Sequence, residues 1–205
     1  GFCSGRGFGH RTKRGCGVIV GITLAAGLSR RFGSDDKLLA PLWGQAVASY
    51  SAKAMLDAPF DARVVVLSNP ELIPIFQGFS VARPLLGAAA QSQSLIAGVL
   101  MARDLGANHI VVSLADMPLV TSADLVQISD MTRRFGGACA IMGAKRLPPA
   151  GFSRVNFAAL LSLSGDQGAG ALLRVFGDES LIALDPQRLI DIDVEADLIA
   201  LGPYK

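Results

Sequence analysis

Continuous apolar runs alternate along this chain with segments whose apolar residues recur at helical spacing. Val18–Leu24 is a run of β-branched and aliphatic residues ending in Ala25-Ala26-Gly27, the pattern of a buried strand followed by a tight loop. Ala46–Leu56 places Val47, Tyr50, Ala54 and Met55 near one helical face, and Ala62–Leu67 is a second buried strand closed by Ser68-Asn69-Pro70. Gln93–Leu105 has an apolar stripe of Leu95, Ile96, Val99, Leu100 and Ala102 and predicts a helix. His109–Leu114 predicts a third strand, ended by Asp116-Met117-Pro118. Thr121 or Ser122 caps the helix that runs on to about Phe135, with Asp124 in its first turn. Ala138–Met142 predicts a fourth strand, Phe157–Leu163 and Ala169–Phe176 two helices, Leu181–Leu184 a strand, and Glu195–Leu201 a closing helix. Asp191 and Asp193 alternate with Ile190 and Ile192, so both carboxylates are expected on one face of a short strand. Strands without polar alternation are buried on both faces, so the expected class is α/β: three layers, a mostly parallel sheet with helices on both faces. Ligands in such sheets bind beyond the carboxyl ends of the strands. Two segments therefore hold the candidate chemistry, Leu24–Lys37 and Leu114–Pro118.

Composition narrows this further. The chain has 205 residues, 51% apolar and 18% charged, enough for one domain with a full core and no need of disulfides or a structural metal. No apolar run approaches the roughly 20 residues that cross a bilayer, and no secretory signal pattern is present. These features lead to the expectation of a cytoplasmic protein that engages no membrane. Arg6, Arg11, Lys13 and Arg14 all fall in the first seventeen residues, and taking those four from the net charge of +2 leaves −2 on the rest. The expected organisation is a flexible, basic, Gly-rich tail or linker over 1–17 and one domain over 18–205. A folded body without a basic stripe argues against a nucleic-acid partner. Because the sequence starts at Gly1 rather than Met, the tail also fits a fusion to, or docking with, a second domain.

Histidine is scarce. His10 lies in the tail and His109 opens an apolar run, so a Ser-His-Asp triad, a Cys-His pair or a His-rich metal site would rest on His109 alone. Cys3, Cys16 and Cys139 show no CxxC spacing, and Cys139 reads as a buried thiol. Chemistry is left to carboxylates, cations and backbone. In the first loop, small residues at Ala25–Gly27 let backbone N–H groups approach an anion, and Arg31, Gly33 and Lys37 form R-x-G-x-x-x-K, able to fold two cations over one site. A triphosphate needs both a backbone cradle and side-chain cations. The same string is also compatible with a solvated polar loop. Asp116 ends a buried strand before a ladder-breaking Pro, which would hold a carboxylate at the ligand edge, where Mg2+ favours one or two carboxylates with phosphate oxygens and water; it also reads as a turn-forming Asp before Met117-Pro118. Asp191 and Asp193 read either as partners of Asp116 or as a polar edge or cap for the last helix.

The string LAAGLSRRFGSDDKLLAPLWGQ resembles the nucleotide-binding signature of the MobA-like NTP transferases, a family that makes the dinucleotide forms of the molybdenum cofactor. SQSLIAGV (Ser92–Val99), SLADMPLV (Ser113–Val120), LSGDQGAGALL (Leu163–Leu173) and DIDVEADL (Asp191–Leu198) are similar to four further blocks, so the likeness spans most of Val18–Leu201. The resemblance implies a Rossmann-like nucleotidyltransferase fold. It implies that Leu24, Ala25, Ala26 and Gly27, with Arg31 and Lys37, hold the nucleotide phosphates, and that Ser94 shapes the base pocket. Asp116 would bind Mg2+, with Asp193 and Asp191 near the same ion; Arg31, Lys37 and Asp116 would be the catalytic set. Leu24-Ala25-Ala26-Gly27 is more like the CTP-using branch than the GTP-using one. The expected reaction is transfer of CMP from CTP to the terminal phosphate of a molybdopterin-type acceptor, releasing pyrophosphate. GTP or another acceptor, or a nucleotide-binding accessory module without catalysis, are the alternatives. The acceptor side departs from the family: Leu147-Pro148-Pro149 replaces a Gly-His-Pro, Gly170 stands where an Arg is usual, and Val194-Glu195-Ala196 replaces Thr-Pro-Glu. Lys145, Arg146, Arg154 and Asp166 are left as receivers of an anionic acceptor or as ordinary surface charges.

Overall fold

β-Branched runs become strands here because each is shielded on both sides by helices. The computed structural model describes residues 17–27, 32, 36–84, 91–165 and 169–202. In chain order the elements are β1 (Ile19–Ala25), β2 (Pro41–Leu42), β3 (Gln45–Ala46), α1 (Val47–Asp57), β4 (Ala62–Leu67), β5 (Ser80–Ala82) and α2 (Gln91–Asp104). There follow β6 (His109–Leu114), α3 (Ser122–Phe135), β7 (Gly137–Met142), β8 (Lys145–Ser153), α4 (Phe157–Leu161), α5 (Gly170–Leu173), β9 (Leu181–Ala183) and α6 (Glu195–Ala200). Seven strands form one sheet in the order β5-β4-β1-β6-β8-β7-β9, and β2 and β3 make a separate hairpin.

Alternate residues of the central strands feed two cores. Val20, Ile22, Val64, Val66, Ile110 and Val112 pack under α2, α4 and α5. On the other face Ile19, Val111, Ala138 and Ala140 meet α1 and α3 through Met55, Leu125 and Ile128. The sheet is thus the middle of three layers, as expected. α3 has the expected start: Thr121 Oγ1 accepts from the Asp124 N–H while Asp124 Oδ2 accepts from the Thr121 N–H, a reciprocal cap, and Gly136 closes the helix at φ 83°. Cys139 is fully buried.

Two expectations are corrected. No strand is among the expected elements over Lys145–Ser153, the segment that carries Pro148-Pro149. β8 nevertheless runs between β6 and β7, antiparallel to both. Its pairing with β7 jumps from Cys139↔Ala150 to Ala140↔Leu147, and pairing with β6 ends at Val112↔Ala150. Both prolines fall in that bulge, so neither is asked for the N–H it lacks. The second correction concerns Asp191–Asp193, which form no strand. That segment is tied to the fold by the Ile192 side chain, fully buried against Leu42 and Val47.

Candidate active site

β1 pairs in parallel with β4 on one side and β6 on the other; the chain passes from β1 to β4 and β5 on one side and later crosses to β6 on the other, so the connections diverge between β1 and β6. A crevice opens beyond the carboxyl ends at such a switch point. Leu24 is level with Leu114, and the Ala115 N–H donates to the Leu24 carbonyl at 3.0 Å. Ala25–Gly27 and Ala115-Asp116 therefore leave the sheet side by side. Ala25 and Ala26 are buried, and a Cβ added at Gly27 would meet nothing within 4 Å, so the backbone there borders open space. From α1, the Ser51 hydroxyl donates to the Ala115 carbonyl at 3.2 Å and helps fix the Asp116 turn.

Lys37 reaches the same rim from the other end of the first loop. Asp36 anchors its backbone: Oδ1 accepts from the Leu38 N–H, and Oδ2 accepts from the Asn69 amide beyond β4 at 2.9 Å. The Val47 and Ala48 N–H groups bind the Ala40 and Leu38 carbonyls and hold the loop on the start of α1. So placed, the Lys37 ammonium donates to Asp116 Oδ2 at 2.7 Å and to Asp193 Oδ1 at 2.9 Å. Three expected residues, separated by up to 156 positions, converge on one point.

The electrostatics follow from partial burial. The Lys37 side chain is 10% exposed and that of Asp116 19%. Burial favours a neutral lysine, but the Asp116 and Asp193 carboxylates more than offset it and raise the Lys37 pKa, so the ammonium stays charged. Burial pushes the Asp116 carboxyl up against the pull of Lys37, and the nearby Asp191 charge pushes the same way as burial. Asp116 Oδ1 is buried and has no hydrogen-bond partner among the described residues. Two carboxylates converging on a cation, with one lone-pair face uncommitted, suit a hard divalent ion. No cluster of three or more His, Cys, Asp or Glu occurs among the described residues. Asp116 and Asp193 are the residues that would hold such a divalent ion, with phosphate and water completing its shell.

A family model for the MobA-like NTP transferase domain matches residues 21–183. The chain belongs to this family. It is 32% identical over 197 residues to the purine catabolism protein PucB of Bacillus subtilis (strain 168), covering 88% of this chain and 95% of that protein. It is 28% identical over 168 residues to nicotine blue oxidoreductase of Paenarthrobacter nicotinovorans, covering 76% and 81%. Among solved structures, Rv0371c of Mycobacterium tuberculosis H37Rv superposes with a TM-score of 0.75 at 28% identity, covering 91% of this chain and 98% of that one. A further structure of Rv0371c is a complex with manganese, with a TM-score of 0.71 at 25% identity and coverage of 90% and 97%. The chain thus carries the MobA-like NTP transferase domain and its α/β fold, and no helix among the described residues is long and apolar enough to cross a membrane.

Other expected residues are distributed as follows in this MobA-like domain. Arg31 and Gly33 of the first loop, the tail with His10, and Asp166 lie outside the described residues. Ser94 is buried in the first turn of α2, at the end of that helix nearest the rim. Lys145 and Arg146 line a cavity of about 550 Å3 with Ala144, Leu147, Gly170 and Arg174. Arg146 is already engaged, its Nη1 donating to the Leu173 and Phe176 carbonyls at 2.6 and 2.8 Å. Arg154 is at the opposite edge, its N–H bound to the Asn108 carbonyl beside the start of β6, and is removed from the acceptor candidates. Where the family has an Arg, Gly170 leaves the wall open, and Arg174, one helical turn later, lines the same cavity. Sequence reasoning missed Arg174, the Asp36–Asn69 anchor, and an ion pair between Asp124 and Arg188; only the T-x-x-D cap at Thr121 hinted at the last.

Proposed function

We propose that this MobA-like protein transfers CMP from CTP to the terminal phosphate of a molybdopterin-type acceptor, with Mg2+, releasing pyrophosphate. The observation that carries the reading is the meeting of Lys37, Asp116 and Asp193 at the switch point of the sheet. The Leu24–Gly27 backbone and Arg31 complete the phosphate cradle, and Ser94 bounds the base pocket. The cytosine choice rests on Leu24-Ala25-Ala26-Gly27, and the setting we propose is cytoplasmic.

The acceptor's phosphate oxygen attacks the α-phosphorus, a new P–O bond forms, and the bond to the β-phosphate breaks with its electron pair leaving on pyrophosphate. A phosphate monoester has a second pKa of about 6, so the nucleophile is ionised near neutrality and needs no strong base. That fits the placement of His109, the one histidine among the described residues, at the start of β6 rather than beside Asp116. What remains is in-line positioning and neutralisation of charge. Lys37 and Arg31 supply cationic donors to the triphosphate, and Lys145 and Arg174 face the acceptor's anionic end. When bound at Asp116 and Asp193, Mg2+ would add Lewis-acid stabilisation of the phosphates.

Incubation with molybdopterin, Mg2+ and each of CTP and GTP tests this directly. Pyrophosphate release with CTP and a cytidine dinucleotide product is expected. Release with GTP alone would overturn the base assignment. The altered acceptor side, with Gly170 in place of Arg, favours one second reading, a nucleotide-binding accessory module; CTP–Mg2+ binding without any pyrophosphate release would decide for it.

A further inference from the structure

The two carboxylates of the candidate site stand on unequal supports. Asp116 follows directly from β6, in the middle of the sheet. Asp193 belongs to a segment that pairs with no strand, and its side chain is 50% exposed. Few contacts fix it. Burial of Ile192 is one, and the Ile192 N–H donating to the Asp116 carbonyl at 2.9 Å is another. Downstream, one Asp197 oxygen accepts from the Asp193 and Val194 N–H groups, both at 2.8 Å.

Upstream the segment has a charged tie. Arg188 lies in the short 3-10 turn Pro186–Leu189, and its Nη1 donates to Asp124 Oδ1 at 2.8 Å. Asp124 is only 3% exposed, and its other oxygen accepts from the Thr121 N–H and hydroxyl at 2.9 and 2.7 Å. A carboxylate buried to this degree and bonded on both oxygens is a fixed point. The stretches 116–124 and 188–193 therefore form a closed frame. The Arg188–Asp124 pair joins one end, and the Ile192–Asp116 bond and the Lys37 ammonium join the other.

We infer that Arg188, acting through Asp124, is a positioning residue that holds Asp193 against Asp116. Its guanidinium pairs with Asp124 and not with the site carboxylates. The consequence for metal binding rests on the nucleotidyltransferase reading; the geometry does not. Residues that orient metal ligands without touching the metal typically change affinity 10- to 100-fold. Without the charged tie, the segment entering Asp193 keeps the buried Leu189 and Ile192 side chains but loses its link to the fixed Asp124 carboxylate, and the second carboxylate is held less firmly against the first.

The test uses the full chain. Arg188→Ala is expected to weaken Mn2+ binding in the presence of CTP by about tenfold, read by electron paramagnetic resonance, with CTP affinity in EDTA unchanged. Arg188→Lys restores most of the loss, and Asp124→Asn, which keeps an acceptor for Thr121, reproduces it. In an Asp193→Asn background Arg188→Ala has no further effect on Mn2+ binding. Independently of any ligand, amide exchange at Ile192, followed by NMR, speeds up in Arg188→Ala. Unchanged exchange at Ile192 overturns the inference, as does a loss of Mn2+ affinity that persists undiminished in the Asp193→Asn background. Should the wild-type protein bind no nucleotide at all, the functional reading fails, while the exchange measurement still decides the role of Arg188.

Discussion

At Asp116, burial, a like charge from Asp191 and an ammonium 2.7 Å away act on a single carboxylate. A group so placed is poor economy for folding and good placement for charge chemistry. Asp116→Ala is expected to cut pyrophosphate release by at least roughly 10²–10³ while the far-ultraviolet dichroism and melting curve stay close to wild type, because Lys37 keeps Asp193 as a partner. Wild-type turnover in that variant would remove Asp116 from the mechanism. His109 offers a contrast at the opposite end of β6. Its Nδ1 is buried without a hydrogen-bond partner among the described residues, and burial, then the Arg133 charge, lower its pKa. The folded state therefore prefers the neutral ring, so the stability this preference protects is whole above about pH 6.5 and is lost as pH falls toward the lowered folded value. Urea midpoints measured between pH 8 and 5 should fall on acidification, and fall less in His109→Gln. Equal slopes for the two proteins would show that His109 does not titrate with folding.

Elements built from one kind of contact were the legible ones. β4 and β6 occupy the expected residues, and α3 starts and stops where its cap and Gly136 dictate. The glycine of the Ser94-to-Gly98 string has an equally local physical reason. A Cβ on Gly98 would lie 2.8 Å from Ile22 Cγ2 and 3.1 Å from Val66 Cγ2, so α2 approaches β1 and β4 only because the side chain is absent. Gly98→Ala is expected to cost about 1–3 kcal/mol by overpacking, despite alanine's better helix propensity, in a denaturant titration. A stabilised variant would mean the helix shifts freely. Elements whose existence depends on distant partners were not legible. β8 needs a bulge opposite Cys139 and Ala140 to carry two prolines, and no local pattern announces it. Asp193 shares a face with nothing regular: its place comes from Ile192 in a cluster with Leu42 and Val47, about 150 residues earlier. Residue types at the site were therefore readable from the chain, whereas the Arg188–Asp124 tie and the Arg174 wall required the fold.

The last segment of the described chain returns to residues 37–43. Lys37 and Asp193 meet across 156 positions, and the Trp43 indole N–H donates to the Gly202 carbonyl at 2.7 Å, so the rim is assembled from both ends of the described chain. A ligand gripping Lys37, Asp116 and Asp193 together must bind the native state and not the unfolded one, where those groups are dispersed. Linkage then makes occupancy visible as stability: free ligand at 100 times its Kd adds about 2.7 kcal/mol. For a domain of this size each kcal/mol moves the melting temperature by roughly 2–4 °C, so saturating CTP with Mg2+ should raise it by roughly 5–10 °C. The same CTP in EDTA should give a smaller shift, since the phosphates then face two carboxylates without a screening ion. Asp116→Asn should abolish the difference between the metal and EDTA arms by removing one of those carboxylates. GTP at equal concentration is expected to shift the midpoint less than CTP. A rise that is equal with and without metal in the wild-type protein would place the triphosphate away from Asp116 and Asp193, and the proposed site would fall with it.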